Sequence, residues 1–341
     1  MHIVERCCST MNGSMKEGYK MKVFAAQSYE GPEKMTLIDV EKPIVKEDDV
    51  LIKVNYSGVG LVDILFSRGF GNLSFPIVPG LEVSGTVDQV GKNVTDFKAG
   101  DKVAALTINS LKGFSEYVSL HQDYVIKVPN GLDLGTAAGT LTNTATALVL
   151  LNEIAPVTVG KHILVYGATG GLGSQVGQLA KLLGAERVVG VVGSKEKQQK
   201  AMELGYDEAF LKEKFFNSDI SETFDMIVDP IGGAQRKINL DRLNTYGVLA
   251  IVGNASQEHR PDIDPDYLWM KNLTITGFNF GRYTAKHTKK VNKYLHWAIQ
   301  LMTNNQIQLP TVYKESLINA SQALLDLEAG KLSGKLLLEH D

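Results

Sequence analysis

The sequence predicts a two-part α/β protein: a compact β barrel or sandwich, followed by a doubly wound parallel sheet with helices on both faces. Three observations carry this. Up to about Leu132, short runs of Val, Ile and Leu alternate with Gly and Asp turns, with no helical rhythm between them. From about residue 135, strand-like and helix-like segments alternate, as in parallel strands joined by crossovers. At 341 residues the chain is long enough to build two cores without covalent staples.

The elements follow in order. Residues 1–20 differ from the rest: Glu5, Arg6, Lys16 and Glu17 interrupt them and no signal-type apolar stretch occurs. They are expected to be a disordered extension or to precede a later start site, which intact mass of the natural product tests. A strand is expected over 21–26, then others over 50–54, 85–90, 102–106, 117–119 and 123–128, punctuated by Gly91-Lys92 and Gly100-Asp101. Residues 137–151 read as a small-residue helix. Strands over 162–166, 187–192, 224–229, 248–252 and 273–277 then accompany helices over 172–183 and 195–204. Gly184 and Gly205 close those helices in the left-handed cap position. One long helix is expected over 286–304. Segments 311–317 and 335–338 return to a strand pattern that rejoins the first part. The division expected is an extension over 1–20, a first domain over 21–133, a second over 134–283, and a connecting helix and return over 284–341.

Composition excludes several classes. The formal net charge is −3, so no strong positive field is available for nucleic acid or an anionic membrane. No run of about 18 apolar residues suggests membrane insertion. The two cysteines, Cys7 and Cys8, are adjacent and near the start. That usage excludes a disulfide framework, fits a cytoplasmic setting, and removes thiolate zinc ligands from the body of the chain.

The most informative stretch is Tyr166-Gly167-Ala168-Thr169-Gly170-Gly171-Leu172-Gly173, between an apolar strand and a helix. This is the context of a dinucleotide turn. Gly170 is expected to make the tight turn, Gly171 to admit the pyrophosphate, and Gly173 to let helix and strand approach. The helix amino end then offers free N–H groups to phosphate. The next strand runs into Gly193-Ser194-Lys195-Glu196-Lys197. The acid that holds a ribose 2′-hydroxyl in NAD sites is missing, and two lysines stand near. NADPH is therefore expected over NADH.

These motifs, taken with others in order, resemble the medium-chain dehydrogenase/reductase superfamily, zinc-independent quinone oxidoreductase (zeta-crystallin-like) branch. Gly167 through Ala185 resembles its cofactor turn, Pro79-Gly80-Leu81-Glu82-Val83-Ser84-Gly85 its PG-x-E-x-x-G stretch, and Val90-Gly91 with Lys98-Ala99-Gly100-Asp101-Lys102-Val103 its VG…GD-x-V element. Gly113-Phe114-Ser115-Glu116-Tyr117 resembles its GG-[YF]-AEY. The resemblance covers residues 21–338. It implies a GroES-like β-barrel domain that contacts substrate and a Rossmann domain that holds cofactor, with the reaction cleft between them. It also implies a homodimer paired through the sheet edge near 273–280.

Zinc-dependent relatives carry a cysteine and a histidine where this chain has Gly60 and Leu81, and the four-cysteine structural loop is absent. Glu82 and Asp63 remain, but two carboxylates suit catalytic zinc poorly. No metal is expected.

The resemblance implies the remaining roles. Thr169, Gly170, Gly171, Leu172 and Gly173 would meet the pyrophosphate; Gly193, Ser194, Lys197 and Lys212 the adenosine phosphate side; Val252, Gly253 and Asn254 the nicotinamide-side ribose. Phe278, Asn279 and Phe280 would approach the nicotinamide by backbone, Thr146 by its hydroxyl, and Lys335 of the closing GK element would reach the cofactor. Gly60, Phe66, Phe70 and Asn143 are the expected substrate wall. The sequence identifies no catalytic acid; Tyr56 and Tyr283 are candidates by position only. The expected activity is hydride transfer from NADPH to a quinone or related electron-poor carbonyl compound. Reduction of 2-alkenals or enones is the alternative, and an NADPH-binding sensor or structural protein is a third reading.

Overall fold

The computed structural model describes residues 19–217, 222–258 and 262–340. Most of the expected extension, residues 1–18 with Cys7 and Cys8, lies outside the described residues. Tyr19 and Lys20 belong to the fold: Tyr19 O accepts from Lys42 N at 2.9 Å, and its ring packs edge-on to Tyr117.

The first half contributes β1 (Lys20–Ala25), β2 (Thr36–Glu41), β3 (Asp49–Val59), α1 (Leu61–Ser67), β4 (Glu82–Val90), β5 (Lys102–Leu106), β6 (Tyr117–His121) and β7 (Val125–Lys127). Next come α2 (Leu134–Val149), β8 (His162–Tyr166), α3 (Gly171–Leu182), β9 (Arg187–Val192), α4 (Lys195–Glu203), β10 (Glu208–Leu211) and α5 (Lys212–Asn217). Then follow β11 (Phe224–Asp229), α6 (Gln235–Asp241), β12 (Leu243–Ile251), α7 (Pro265–Lys271) and β13 (Thr274–Gly277). The chain closes with α8 (Phe280–Lys286), α9 (Thr288–Thr303), β14 (Val312–Ser316), α10 (Ala320–Glu328) and β15 (Lys335–Glu339).

Strands β8 to β13 form one parallel sheet in the order β10-β9-β8-β11-β12-β13. This is the doubly wound dinucleotide-binding order, and its reversal point lies between β8 and β11, where ligands are received. The other large sheet runs β14-β15-β3-β4-β5-β7, with β6 also on β3. β15 pairs antiparallel with β3 and parallel with β14, so the end of the chain completes a sheet begun at its start. This is a GroES-like domain joined to a Rossmann domain.

Helix α2 connects the two. It packs on β3, β4 and β5 of one sheet and on α3 and α9 beside the other. Together with a π-helical continuation over Leu150–Ile154 it is long and apolar enough by composition to cross a membrane, but 72% of its apolar window is buried inside the fold. Leu141, Leu148 and Leu150 have no exposed surface; each such side chain contributes roughly 1.5–3 kcal/mol by burial.

The long helix expected over 286–304 is α9; the short helix α8 precedes it, and His287, whose φ of −132° and ψ of 38° leave the helical region, separates the two. One expectation changes. The strand over 248–252 is the second half of a longer β12, in which Tyr246 has φ 66°.

Candidate dinucleotide site

The phosphate turn is built by β8 delivering the chain to α3. Gly167, at φ 65°, is the residue in the left-handed region. Gly170 has an ordinary φ of −77°, so the tight turn belongs to Gly167 and not to Gly170 as the motif suggested. Ala168 fits where a glycine is usual because the facing residue is Gly190: a Cβ on Gly190 would lie 2.7 Å from that of Ala168. Gly173 is obligatory, since its Cβ would stand 2.2 Å from Gly167 O. No side chain caps the amino end of α3, which leaves its first-turn N–H groups free to meet an anion.

Thr169 is buried, with 4% of its surface exposed, and accepts a hydrogen bond from Ser333 Oγ at 3.3 Å. Leu172 packs against the core from the first turn of α3. Asn143, expected in the substrate wall, stands at this turn instead: a Cβ on Gly171 would lie 2.5 Å from its Nδ2. Helical periodicity puts residue 143 on the face of α2 that packs on α3.

Strand β9 ends at Val192, and at Gly193 after it an added Cβ would meet nothing within 4 Å. Ser194 caps α4 by accepting from Lys197 N at 3.3 Å. Lys197 Nζ donates to Gly330 O at 3.4 Å. Lys212 is exposed at the start of α5. Glu196, the acid nearest the end of β9 in sequence, lies in the first turn of α4 and is exposed.

The loops after β11 and β12 are locked together. Asp229, fully buried, accepts from Ile231 N at 2.8 Å, Gly232 N at 2.9 Å and Arg236 Nε at 2.8 Å. Arg236 then donates to Gly253 O at 2.6 Å. Gly232, at φ 81°, leaves space that Asn254 fills: a Cβ there would be 1.8 Å from Asn254 Oδ1. That oxygen is buried and without a partner among the described residues. Val252 N donates to Asp229 O at 3.0 Å. Arg236 was not identifiable by motif, because its role depends on the distance between two loops far apart in sequence. Phe278 and Phe280 place their rings in the core, and Phe278 N donates to Ile251 O at 2.9 Å. Asn279 caps α8 by accepting from Arg282 N at 2.9 Å.

The barrel contributes a second set of buried polar groups. Asp63 is completely buried and accepts from Gly60 N and Gly80 N, each at 2.8 Å. Burial pushes its carboxyl up to about 6. Glu82 accepts from Lys335 Nζ at 2.5 Å and from Thr142 N of α2 at 2.7 Å. Lys335 also donates to Val59 O at 3.0 Å and is only 3% exposed. The expected cofactor contact by Lys335 is therefore corrected: packing of β15 against β3 draws its ammonium inward to Glu82. The closing element reaches the phosphate turn through Ser333, two residues earlier.

Thr146 donates to Thr142 O at 2.5 Å, one helical turn back, and is partly exposed. Phe66 packs against the barrel core and lies 6.0 Å from Phe70, which is 56% exposed. Gly60 caps α1, and a Cβ there would meet nothing closer than 3.8 Å. Tyr56 donates to Glu339 at 2.8 Å, which holds its hydroxyl above the usual range, and its ring lies under Lys314. Tyr283 packs on Phe278 and His287.

These donors do not fit a catalytic zinc. Residue 60 has no side chain, Leu81 offers no lone pair, and both nearby carboxylates already hold hydrogen-bond partners. Among the described residues no three His, Cys, Asp or Glu side chains gather.

Comparison with known proteins agrees with this architecture. Residues 46–130 match the model described as alcohol dehydrogenase GroES-like domain, and residues 171–300 the one described as zinc-binding dehydrogenase. Quinone oxidoreductase of Sus scrofa is 34% identical over 274 residues, covering 77% of this chain and 82% of that protein. The quinone oxidoreductase structure from Pseudomonas syringae superposes with a TM-score of 0.85 at 25% identity, covering 94% of this chain and 99% of that one. A mycobacterial protein complexed with NADPH gives 0.83 at 26% identity, with the same coverage.

Proposed function

Because this chain belongs to the quinone oxidoreductase family of the medium-chain dehydrogenase/reductase superfamily, we propose that it is an NADPH-dependent, zinc-independent reductase of a quinone or related electron-poor carbonyl compound. The observation that carries this is the pairing of an uncapped α3 amino end with a lysine-bearing, acid-free end of β9. The first site receives any dinucleotide; the second favours the one with an additional phosphate.

The chain's own groups divide the work. Thr169 and the first-turn N–H groups of Gly171, Leu172 and Gly173 hold the pyrophosphate. Gly193 leaves room for the 2′-phosphate; Ser194 fixes the turn, and Lys197 with Lys212 supplies charge. Gly253, held by Arg236 through its carbonyl, and Asn254 line the nicotinamide-side ribose. Val252, Thr146 and the backbone at Phe278, Asn279 and Phe280 border the ring. Bound NADPH supplies a hydride to the acceptor, and a quinone takes the accompanying proton from solvent. Gly60, Phe66 and Phe70 form an apolar wall that orients a planar acceptor; positioning is the protein's main contribution.

Two sets of measurements test this. Km for NADPH should be well below that for NADH, and Lys197→Met should raise the first with little effect on the second; a clear preference of the wild type for NADH defeats the assignment. A panel of quinones and enals followed by NADPH absorbance should give turnover with quinones. Faster turnover of enals transfers the reading to enone reduction, and binding without turnover to a sensor or structural role. Metal analysis should find less than stoichiometric zinc. A homodimer in a cytoplasmic setting completes the proposal. The strand β13 supports the dimer: among the described residues it is paired on one edge only, and it follows Trp269 and Met270, 75% and 74% exposed.

A further inference from the structure

A side chain outside the glycine motif reaches the phosphate turn from below. Helix α4 is followed by Gly205, at φ +87°, and this left-handed residue turns Tyr206 back under α3. Tyr206 N donates to Ala201 O at 3.2 Å and Asp207 N to Val188 O at 2.9 Å, so the backbone is fixed on both sides of the ring. Tyr206 is only 2% exposed and fills space that two glycines leave. A Cβ on Gly177 of α3 would collide with the hydroxyl end of its ring, and one on Gly190 of β9 would stand 3.3 Å from its Cδ1.

The hydroxyl touches the turn itself. Tyr206 Oη donates to Gly173 O at 2.6 Å. Burial pushes the hydroxyl far above its usual range, so it stays protonated and remains a donor. Gly173 C=O and Ser174 N–H belong to one peptide unit, and Ser174 N donates to Gly170 O at 3.0 Å. Gly170 C=O in turn shares a peptide unit with Gly171 N–H, one of the first-turn donors that no side chain caps. Tyr206 therefore begins a line of hydrogen bonds that ends on a donor directed out of the amino end of α3. Each bond in such a line polarises the next, and each fixes the orientation of the peptide unit that follows it.

We propose that Tyr206 is a positioning residue for the dinucleotide: its hydroxyl, acting through Gly173 and Gly170, orients and strengthens Gly171 N–H as a donor to the pyrophosphate. This rests on the NADPH reading above. Both nicotinamide dinucleotides carry the pyrophosphate, so the effect is the same for NADPH and NADH and absent for a ligand that lacks it.

Calorimetry on the full chain tests this, with NADPH and NADH titrated into wild type and Tyr206→Phe, which keeps the ring between Gly177 and Gly190 and removes only the hydroxyl. The variant should bind both dinucleotides more weakly by the same factor, about three- to tenfold. Adenosine 2′-monophosphate, which has the additional phosphate but no pyrophosphate, should displace NADPH with the same inhibition constant in both proteins. A tyrosine that merely fills space predicts unchanged affinity in Tyr206→Phe, and that result overturns the proposal. A loss shared by adenosine 2′-monophosphate, which marks a general loosening of the domain, or a loss confined to NADPH, overturns it as well. Wild-type protein that binds neither dinucleotide fails differently: it removes the cofactor reading itself, and the role of Tyr206 with it.

Discussion

His340 is buried beneath the barrel with a single side-chain partner. Ser57 Oγ donates to Gly113 O at 2.6 Å, so it accepts from His340 Nε2 at 2.7 Å; Nδ1 has no partner among the described residues. Burial pushes the imidazole down from 6.5 to about 4. The folded state therefore holds a neutral ring while the unfolded chain binds a proton below 6.5. The stability this represents is complete above pH 6.5 and is lost as pH falls toward 4, about 3 kcal/mol over the window. Asp63, pushed up from 3.8 to about 6, has the opposite sign: its contribution is complete below pH 3.8 and is lost as pH rises through 6. Comparing wild type with His340→Gln isolates the histidine, since Asp63 is present in both. Urea unfolding at pH 5 and pH 6 should show a smaller acid loss in the variant, by about 1 kcal/mol per pH unit. Equal losses refute a neutral buried ring.

Among the elements, β15 carries a buried ion pair. Lys335 and Glu82 are 3% and 1% exposed, and their bond ties β15 to β4 while Glu82 also holds α2. Removing one member leaves a buried charge uncompensated. Lys335→Met should cost about 3–5 kcal/mol in urea unfolding, and the double variant with Glu82→Leu should recover a large part of it. A single variant as stable as wild type contradicts the pairing. The same strand shows what the sequence discloses and what it withholds. Strands such as β5, β8, β9 and β11 were legible to the residue, because their apolar runs are local signals. The turn between β8 and α3 was equally legible as a turn, because glycine spacing reflects local backbone demands. Which glycine turns the chain was not: the left-handed residue is set by how β8 meets its neighbours, and that selects Gly167. Lys335 and Asn143 were misplaced for a related reason, since the direction of each depends on packing between segments distant in sequence. Strand β10 is only four residues long and β2 is interrupted by Asp39, so neither stands out as an apolar run.

For the whole molecule, the exposed edge is the feature with the clearest expectation. β13 offers unpaired backbone groups beside Trp269 and Met270, and an apolar edge of this kind is stable only when covered. Light scattering should give twice the 341-residue mass for the wild type and a lower mass for Trp269→Glu. A wild-type monomer at micromolar concentration argues against the two-fold pairing.

The position of β15 between β14 and β3 also sets an order of events during synthesis. The parallel sheet uses one continuous stretch of chain and can condense as soon as β13 has left the ribosome. The barrel, although translated first, lacks an interior strand until the final residues emerge. The half made earliest is thus finished last, and a ribosome stalled short of residue 335 would release a chain in which β3 keeps β4 and β6 but lacks its β15 neighbour.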